Sequence, residues 1–157
     1  MIQHIKCDIF ESGADVICHQ VNCQGVMGSG IARQVREKYP NVYESYKAYC
    51  ENKRPEDLLG RAMFVGVDDE QLAGIANIFG QLSYGYDGKC YTDYDALKRA
   101  FVELNQFIYI YFDYYPVVAF PYKFGCARGG GDWNIVYKLI KETFKDCIVL
   151  ICEYDGG

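Results

Sequence analysis

Two histidines, His4 and His19, and two glycine-rich stretches hold most of the chemistry this sequence can offer. His19 follows a short apolar run, Ala14-Asp15-Val16-Ile17-Cys18. It stands three residues ahead of Asn22, which opens the stretch Asn22-Cys23-Gln24-Gly25-Val26-Met27-Gly28-Ser29-Gly30-Ile31-Ala32. An imidazole in that place is either a general acid or base or a hydrogen-bonded structural group, and the spacing leaves both open. The glycines allow the backbone to turn its N–H groups toward a bound anion, and a helix starting at Ile31 adds the positive end of its dipole. A second stretch of the same kind runs Phe124-Gly125-Cys126-Ala127-Arg128-Gly129-Gly130-Gly131. Asp8 ends the first apolar segment, where a carboxylate serves as a turn or cap residue.

Several other chemistries fail on spacing. A dinucleotide fingerprint requires G-x-G-x-x-G, whereas the first stretch reads Gly25-x-x-Gly28-x-Gly30. There is no G-x-x-x-x-G-K-[ST] loop and no G-x-S-x-G elbow. The eight cysteines, at 7, 18, 23, 50, 90, 126, 147 and 152, include no C-x-x-C pair, and several sit in apolar runs. They read as buried thiols in a reducing compartment, neither disulfides nor metal ligands. No metal site and no cofactor is expected.

The elements that must carry these residues follow from periodicity. Strands are expected over 1–5, 15–21, 61–67, 72–79, 117–120 and 147–152, and helices over 31–39, 42–50, a long segment from about 93 to 111, and 132–145. Residues 52–57 read as a polar loop. The third and fourth strands stand in hairpin relation across Asp68-Asp69-Glu70. Thr92 or Asp93 caps the long helix, Asp132 at the start of the last helix and Lys145 near its end suit the helix dipole, and residues 154–157 read as a frayed end. The loop from Gly80 to Thr92, rich in glycine and tyrosine, is long for a compact domain and reads as functional or mobile. Strands interleaved with helices give an α/β protein with helices on both sheet faces. Ligands of such sheets sit beyond the carboxyl ends of the strands, where the two glycine-rich turns would converge.

With 157 residues the chain fits one domain, and half of its residues are apolar. It shows neither a signal peptide nor an apolar run long enough to span a membrane, so a cytoplasmic location is expected. The formal charge is −5 and no Lys/Arg stripe forms, which argues against an extended nucleic-acid surface. A monomer is expected.

These motifs together resemble the macrodomains, the ADP-ribose-binding α/β/α modules, along essentially the whole chain. The resemblance implies a three-layer α/β/α fold on a mixed six-stranded sheet, with residues 1–157 forming one domain. Lys6-Cys7-Asp8-Ile9-Phe10 is similar to the family's first-strand exit, whose aspartate, here Asp8 with Ile9 beside it, accepts from the adenine amino group. In the first loop Asn22 faces the distal ribose, and Gly25, Val26, Met27, Gly28, Ser29, Gly30, Ile31 and Ala32 wrap it. In the second loop Phe124, Gly125, Cys126, Ala127, Arg128, Gly129 and Gly130 take the diphosphate. Gln81, Tyr122 and other aromatic side chains, Phe124 included, complete the pocket.

The compact form resembles a bacterial and phage-type group of terminal ADP-ribose glycohydrolases, DNA-ADP-ribose glycohydrolases and ADP-ribose-1″-phosphate phosphatases. The glycohydrolase type uses a lysine after the fourth strand and an aspartate in the second loop, and this chain has Gln81 and Gly129 there. Neither forms the adduct nor moves the proton that mechanism needs. A histidine before the first-loop asparagine, as in the phosphatase-like branch, matches His19. The resemblance therefore implies an ADP-ribose-binding protein that processes terminal ADP-ribose derivatives, with His19 and Asn22 as the catalytic candidates. The alternative is a non-catalytic ADP-ribose reader.

Overall fold

In the computed structural model, which describes residues 1–154, six strands form one sheet. They are β1 (Ile2–Lys6), β2 (Val16–Asn22), β3 (Ala62–Gly66), β4 (Gly74–Gln81), β5 (Val117–Pro121) and β6 (Ile148–Glu153). The order across the sheet is β1-β6-β5-β2-β4-β3, with only the β3–β4 pair antiparallel. The sheet is thus mixed, and the carboxyl ends of its five parallel strands share one edge. Asp155, Gly156 and Gly157, part of the segment expected to fray, lie outside the described residues.

Helices cover both faces. On one side lie α1 (Gly30–Lys38), α2 (Pro40–Glu51) and α3 (Pro55–Leu58); on the other lie α4 (Tyr94–Tyr111) and α5 (Trp133–Thr143). The alternation of each strand feeds both layers. Val16 and Cys18 of β2 pack toward α4 and α5, while Ile17 packs with Val35 and Val42 of α1 and α2. All eight residues of β4 are buried, as a strand covered on both faces requires.

Local chemistry sets the boundaries. Pro40 ends α1 and occupies the first turn of α2, a position where its missing N–H costs nothing. Asp93 caps α4 by accepting from Ala96 N at 3.0 Å, and Asp132 caps α5 by accepting from Asn134 N at 2.9 Å. The expected polar loop at 52–57 is instead entered by α3, where Pro55 starts the turn and Glu56 and Asp57 favour its N-terminus. The fourth strand begins two residues later than its apolar run and extends to Gln81, which therefore belongs to the sheet. A register shift opposite Val21/Asn22 pairs Asn22 with Gln81 and leaves Gly80 as the extra residue of a bulge.

Beneath the second glycine-rich turn Phe101, Phe120, Phe124 and Phe144 form one aromatic cluster, with ring centroids 5.2–5.9 Å apart. Phe101 touches the other three. Phe101→Ala is expected to lower unfolding stability by about 3–5 kcal/mol in urea denaturation, since a fully buried ring is replaced by a cavity.

Candidate functional site

The ladder between β2 and β5 holds at two pairs, Val16↔Val118 and Ile17↔Ala119. Beyond them β2 stays in register with β4 and β5 with β6. Between the parting strand ends lies a cleft of about 280 Å³. Both glycine-rich turns reach it: Asn22, Val26, Gly28, Ser29, Gly30, Ile31 and Ala32 from the first, and Phe124, Gly125, Ala127, Arg128 and Gly129 from the second. His19, Gln81 and Tyr122 line it too.

The remaining residues of the expected site do not line this cleft. Ile9 and Met27 are buried in the core on the α1/α2 side of the sheet. Gly25 (φ 80°) supplies the bend of the first turn, and Gly130 (φ 69°) packs against the backbone of Lys89 and Cys90. Cys126 packs against the α4/α5 core. Asp8 lies just past the end of β1, at the same sheet edge, where its Oδ1 accepts from Phe10 N at 3.0 Å and caps a 3-10 turn over Ile9–Glu11. Phe124 borders the cleft, but its ring is given to the aromatic cluster and is not offered to a ligand.

Asn22 shapes the first turn. Its Oδ1 accepts from Gln24 N at 2.9 Å and its Nδ2 donates to Val26 O at 2.9 Å. From α2 the Tyr46 hydroxyl donates to Asn22 O at 2.6 Å and lies 3.0 Å from Oδ1. Burial pushes the Tyr46 pKa well up, so the hydroxyl keeps its proton. An amide nitrogen carries two protons, and the turn uses one of them. Where the turn runs into α1, Ser29 makes no side-chain cap, leaving the first N–H groups of the helix without that partner. The N-terminus of α5 differs, because the Asp132 carboxylate occupies it.

His19 and Asn77 face each other across β2 and β4, with His19 Nε2 2.6 Å from Asn77 Oδ1. The amide oxygen makes Nε2 the protonated nitrogen and leaves Nδ1 a buried lone pair with no partner in the protein. Desolvation lowers the His19 pKa to about 4, against a smaller opposing effect of the Asn77 bond. His19 is therefore neutral at pH 7.

The loop between β4 and α4 closes the cleft from above, contributing Tyr84, Gly85 and Tyr86. The Arg128 guanidinium lies 4.3 Å over the Tyr86 ring, bridging this loop to the second turn. Pro121, Tyr122, Lys123 and Phe124 form a tight turn closed by Phe124 N to Pro121 O at 3.0 Å. Lys123 takes φ 59° there, a conformation that costs a residue with a Cβ of order 1 kcal/mol. Lys123 and Arg128 both line the cleft, and among the described residues no Asp or Glu does. In a chain of net charge −5 this is a local inversion of sign.

Sequence reasoning did not single out Gln20, Val21, Pro121, Lys123 or Asn77. Polar residues inside strand patterns carry no signal of their own, and Gln20 and Asn77 show their roles only through partners 58 to 72 positions away.

No family model matches the sequence. The chain is 32% identical over 166 residues to a DNA ADP-ribosyl glycohydrolase of Mycobacterium tuberculosis, covering all of this chain and 43% of that protein. It is 40% identical over 73 residues to an ADP-ribose 1″-phosphate phosphatase of Scheffersomyces stipitis, covering 41% of this chain and 42% of that one. The chain thus spans less than half the length of these curated relatives. Among solved structures, the macrodomain of Mycobacterium tuberculosis DarG superposes with a TM-score of 0.81 at 22% identity, over 98% of this chain and 97% of that one.

The buried imidazole makes stability pH-dependent. Its folded pKa, about 4, lies below the ordinary 6.5, so between these values the unfolded chain binds the extra proton and acid favours unfolding. Stability is expected to fall by about 2–3 kcal/mol from pH 7.5 to pH 4.5 through this group. The difference should be absent from His19→Gln, as measured by urea denaturation at the two pH values.

Proposed function

The chain is a macrodomain, and from that premise we propose that its cleft binds the ADP-ribosyl group. The observation that carries this reading is the sign of the cleft: two cations, an uncapped helix start, two glycine turns and no carboxylate among its described lining residues. A diphosphate fits that inventory, because backbone N–H groups and a helix N-terminus hold it without a basic stripe. Its place is between the start of α1 and the second turn, with Arg128 and Lys123 in reach. The distal ribose goes to the Asn22 side, where the second Nδ2 proton is available to it. Adenine goes toward Asp8, whose cap to Phe10 uses one of its two carboxylate oxygens. The two curated relatives, both named for chemistry on ADP-ribose derivatives, agree with this ligand class.

A second reading, hydrolysis of a terminal derivative such as ADP-ribose 1″-phosphate, is favoured by one observation. His19 is neutral and lines the cleft, and its lone pair has no protein partner. A pKa near 4 makes it a weak base at pH 7, far from the value that general-base catalysis favours. Gln81 and Gly129 offer no nucleophile. Binding is accordingly the main function and turnover the subsidiary one.

Titration calorimetry with ADP-ribose is expected to give saturable one-to-one binding, and absence of heat at high protein concentration would remove the reading. Asp8→Ala should weaken binding by about 1–3 kcal/mol, the range for losing a hydrogen bond to a charged group. Phosphate release from ADP-ribose 1″-phosphate, compared between wild type and His19→Ala, separates the two readings. Turnover that disappears in the variant makes the protein a phosphatase, and wild-type turnover no faster than buffer leaves a binding module.

A further inference from the structure

The geometry points to Gln20 as a positioning residue that, through Thr92, sets the second turn from beneath. This inference rests on the proposed binding of ADP-ribose and adds what holds the diphosphate side of the cleft in shape. Gln20 lies on the part of β2 that no longer pairs with β5. Its Nε2 donates to Gln81 Oε1 at 2.6 Å and to Thr92 Oγ1 at 2.9 Å. Thr92 Oγ1 then donates to Gly125 O at 2.7 Å. The same carbonyl accepts from Gly131 N at 3.0 Å, and Gly129 O accepts from Tyr91 N and Thr92 N at 2.7 and 2.9 Å. One side chain of the sheet thereby ties together the end of β4, the entry to α4 and the second turn.

The glycines of that turn fit this network closely. A Cβ on Gly125 would stand 2.9 Å from Gln20 Oε1 and 3.2 Å from Thr92 Oγ1. A Cβ on Gly129 would stand 2.8 Å from Gln20 Nε2 and would collide with Thr92 Oγ1. On Gly80, the bulge residue, it would stand 2.5 Å from Gln20 Oε1. A Cβ at any of these three glycines would thus have to displace the Gln20 amide, while Gly129 is also closed by the Gly125 carbonyl and Gly80 by the Leu97 side chain. Gln81 is held from both ends, since its Nε2 donates to Ser83 O at 2.8 Å, so its side chain is a strut of the floor. A ligand that meets this turn finds amides already aimed, and it escapes the entropy of ordering them.

The test uses two ligands and two substitutions. Thr92→Val removes the hydroxyl at nearly constant volume, and Thr92→Ser keeps it. By NMR titration, Thr92→Val is expected to lower ADP-ribose affinity about tenfold, the effect of about one hydrogen bond. Adenosine affinity should stay within about twofold, because adenosine lacks the diphosphate, and Thr92→Ser should restore ADP-ribose binding. Unchanged ADP-ribose affinity in Thr92→Val, or parallel losses for both ligands, would overturn the inference. Amide hydrogen exchange at Gly125–Gly131 in the ligand-free protein keeps the inference separate from the binding reading. Faster exchange in Thr92→Val and in Gln20→Met supports positioning even if wild type ignores ADP-ribose, and unchanged exchange in both refutes it.

Discussion

Strands β2 and β5 run side by side for only two residue pairs and then part, each still held by its other neighbour. That parting is the constraint from which the site follows. It leaves the last residues of β2 rigid but open on one side, and it starts both glycine turns from fixed points a short distance apart. Chain direction reinforces it, because β2 leads to β4 and β3 on one side, and β5 leads to β6 on the other. A crevice at such a reversal is where open α/β sheets hold ligands. Here the rigid layer below comes from a core that fills both sheet faces.

The floor of the crevice is a row of buried and half-buried polar side chains that tie β2 to β4, to the entry of α4 and to α2. His19 is tied to β4 through Asn77, Gln20 to β4 and the entry of α4 through Gln81 and Thr92, and Asn22 to α2 through Tyr46. Within this row His19 Nδ1, Gln20 Oε1 and Asn77 Nδ2 are left without protein partners. Each unpaired buried group costs roughly 1–3 kcal/mol, so the row is a poor way to gain stability. It is a good way to specify geometry, because bonded polar groups accept far fewer arrangements than packed methyls do. Carboxylates, meanwhile, serve as caps outside the crevice, at Asp8, Asp93 and Asp132. The acidic chain thereby keeps an anion-compatible interior edge.

Much of the fold was legible because burial writes itself into period. The apolar runs of β2, β4, β5 and β6 and the long stripe of α4 were readable within a few residues, and so was the antiparallel hairpin. The glycine turns were readable as places where backbone must turn, and fifteen of the twenty-one residues named for the site line the cleft. The misses share a cause. Phe124 looks like an available aromatic until Phe101 and Phe120 are seen beside it. Gln20 and Asn77 look like ordinary polar positions of a strand until the bulge at Gly80 and the in-register partner appear. A four-residue turn such as α3 is too short for periodicity to mark.

The features that suit the crevice to holding a ligand also work against acid–base chemistry in it. Sequestering His19 beside Asn77 fixes its tautomer and orientation, but desolvation takes its pKa to about 4 and with it most of its basicity at pH 7. Binding Gln81 at both ends makes the floor stiff and leaves an unreactive amide at the end of β4. Excluding Asp and Glu from the described lining favours a diphosphate and leaves no carboxyl to pass a proton. A site can keep a charged acid for catalysis or a lining without acids for phosphate, and each choice weakens the other. This crevice is built on the second choice, with Lys123, Arg128 and backbone amides supplying its electrostatics and a neutral imidazole as the one histidine among its described lining residues.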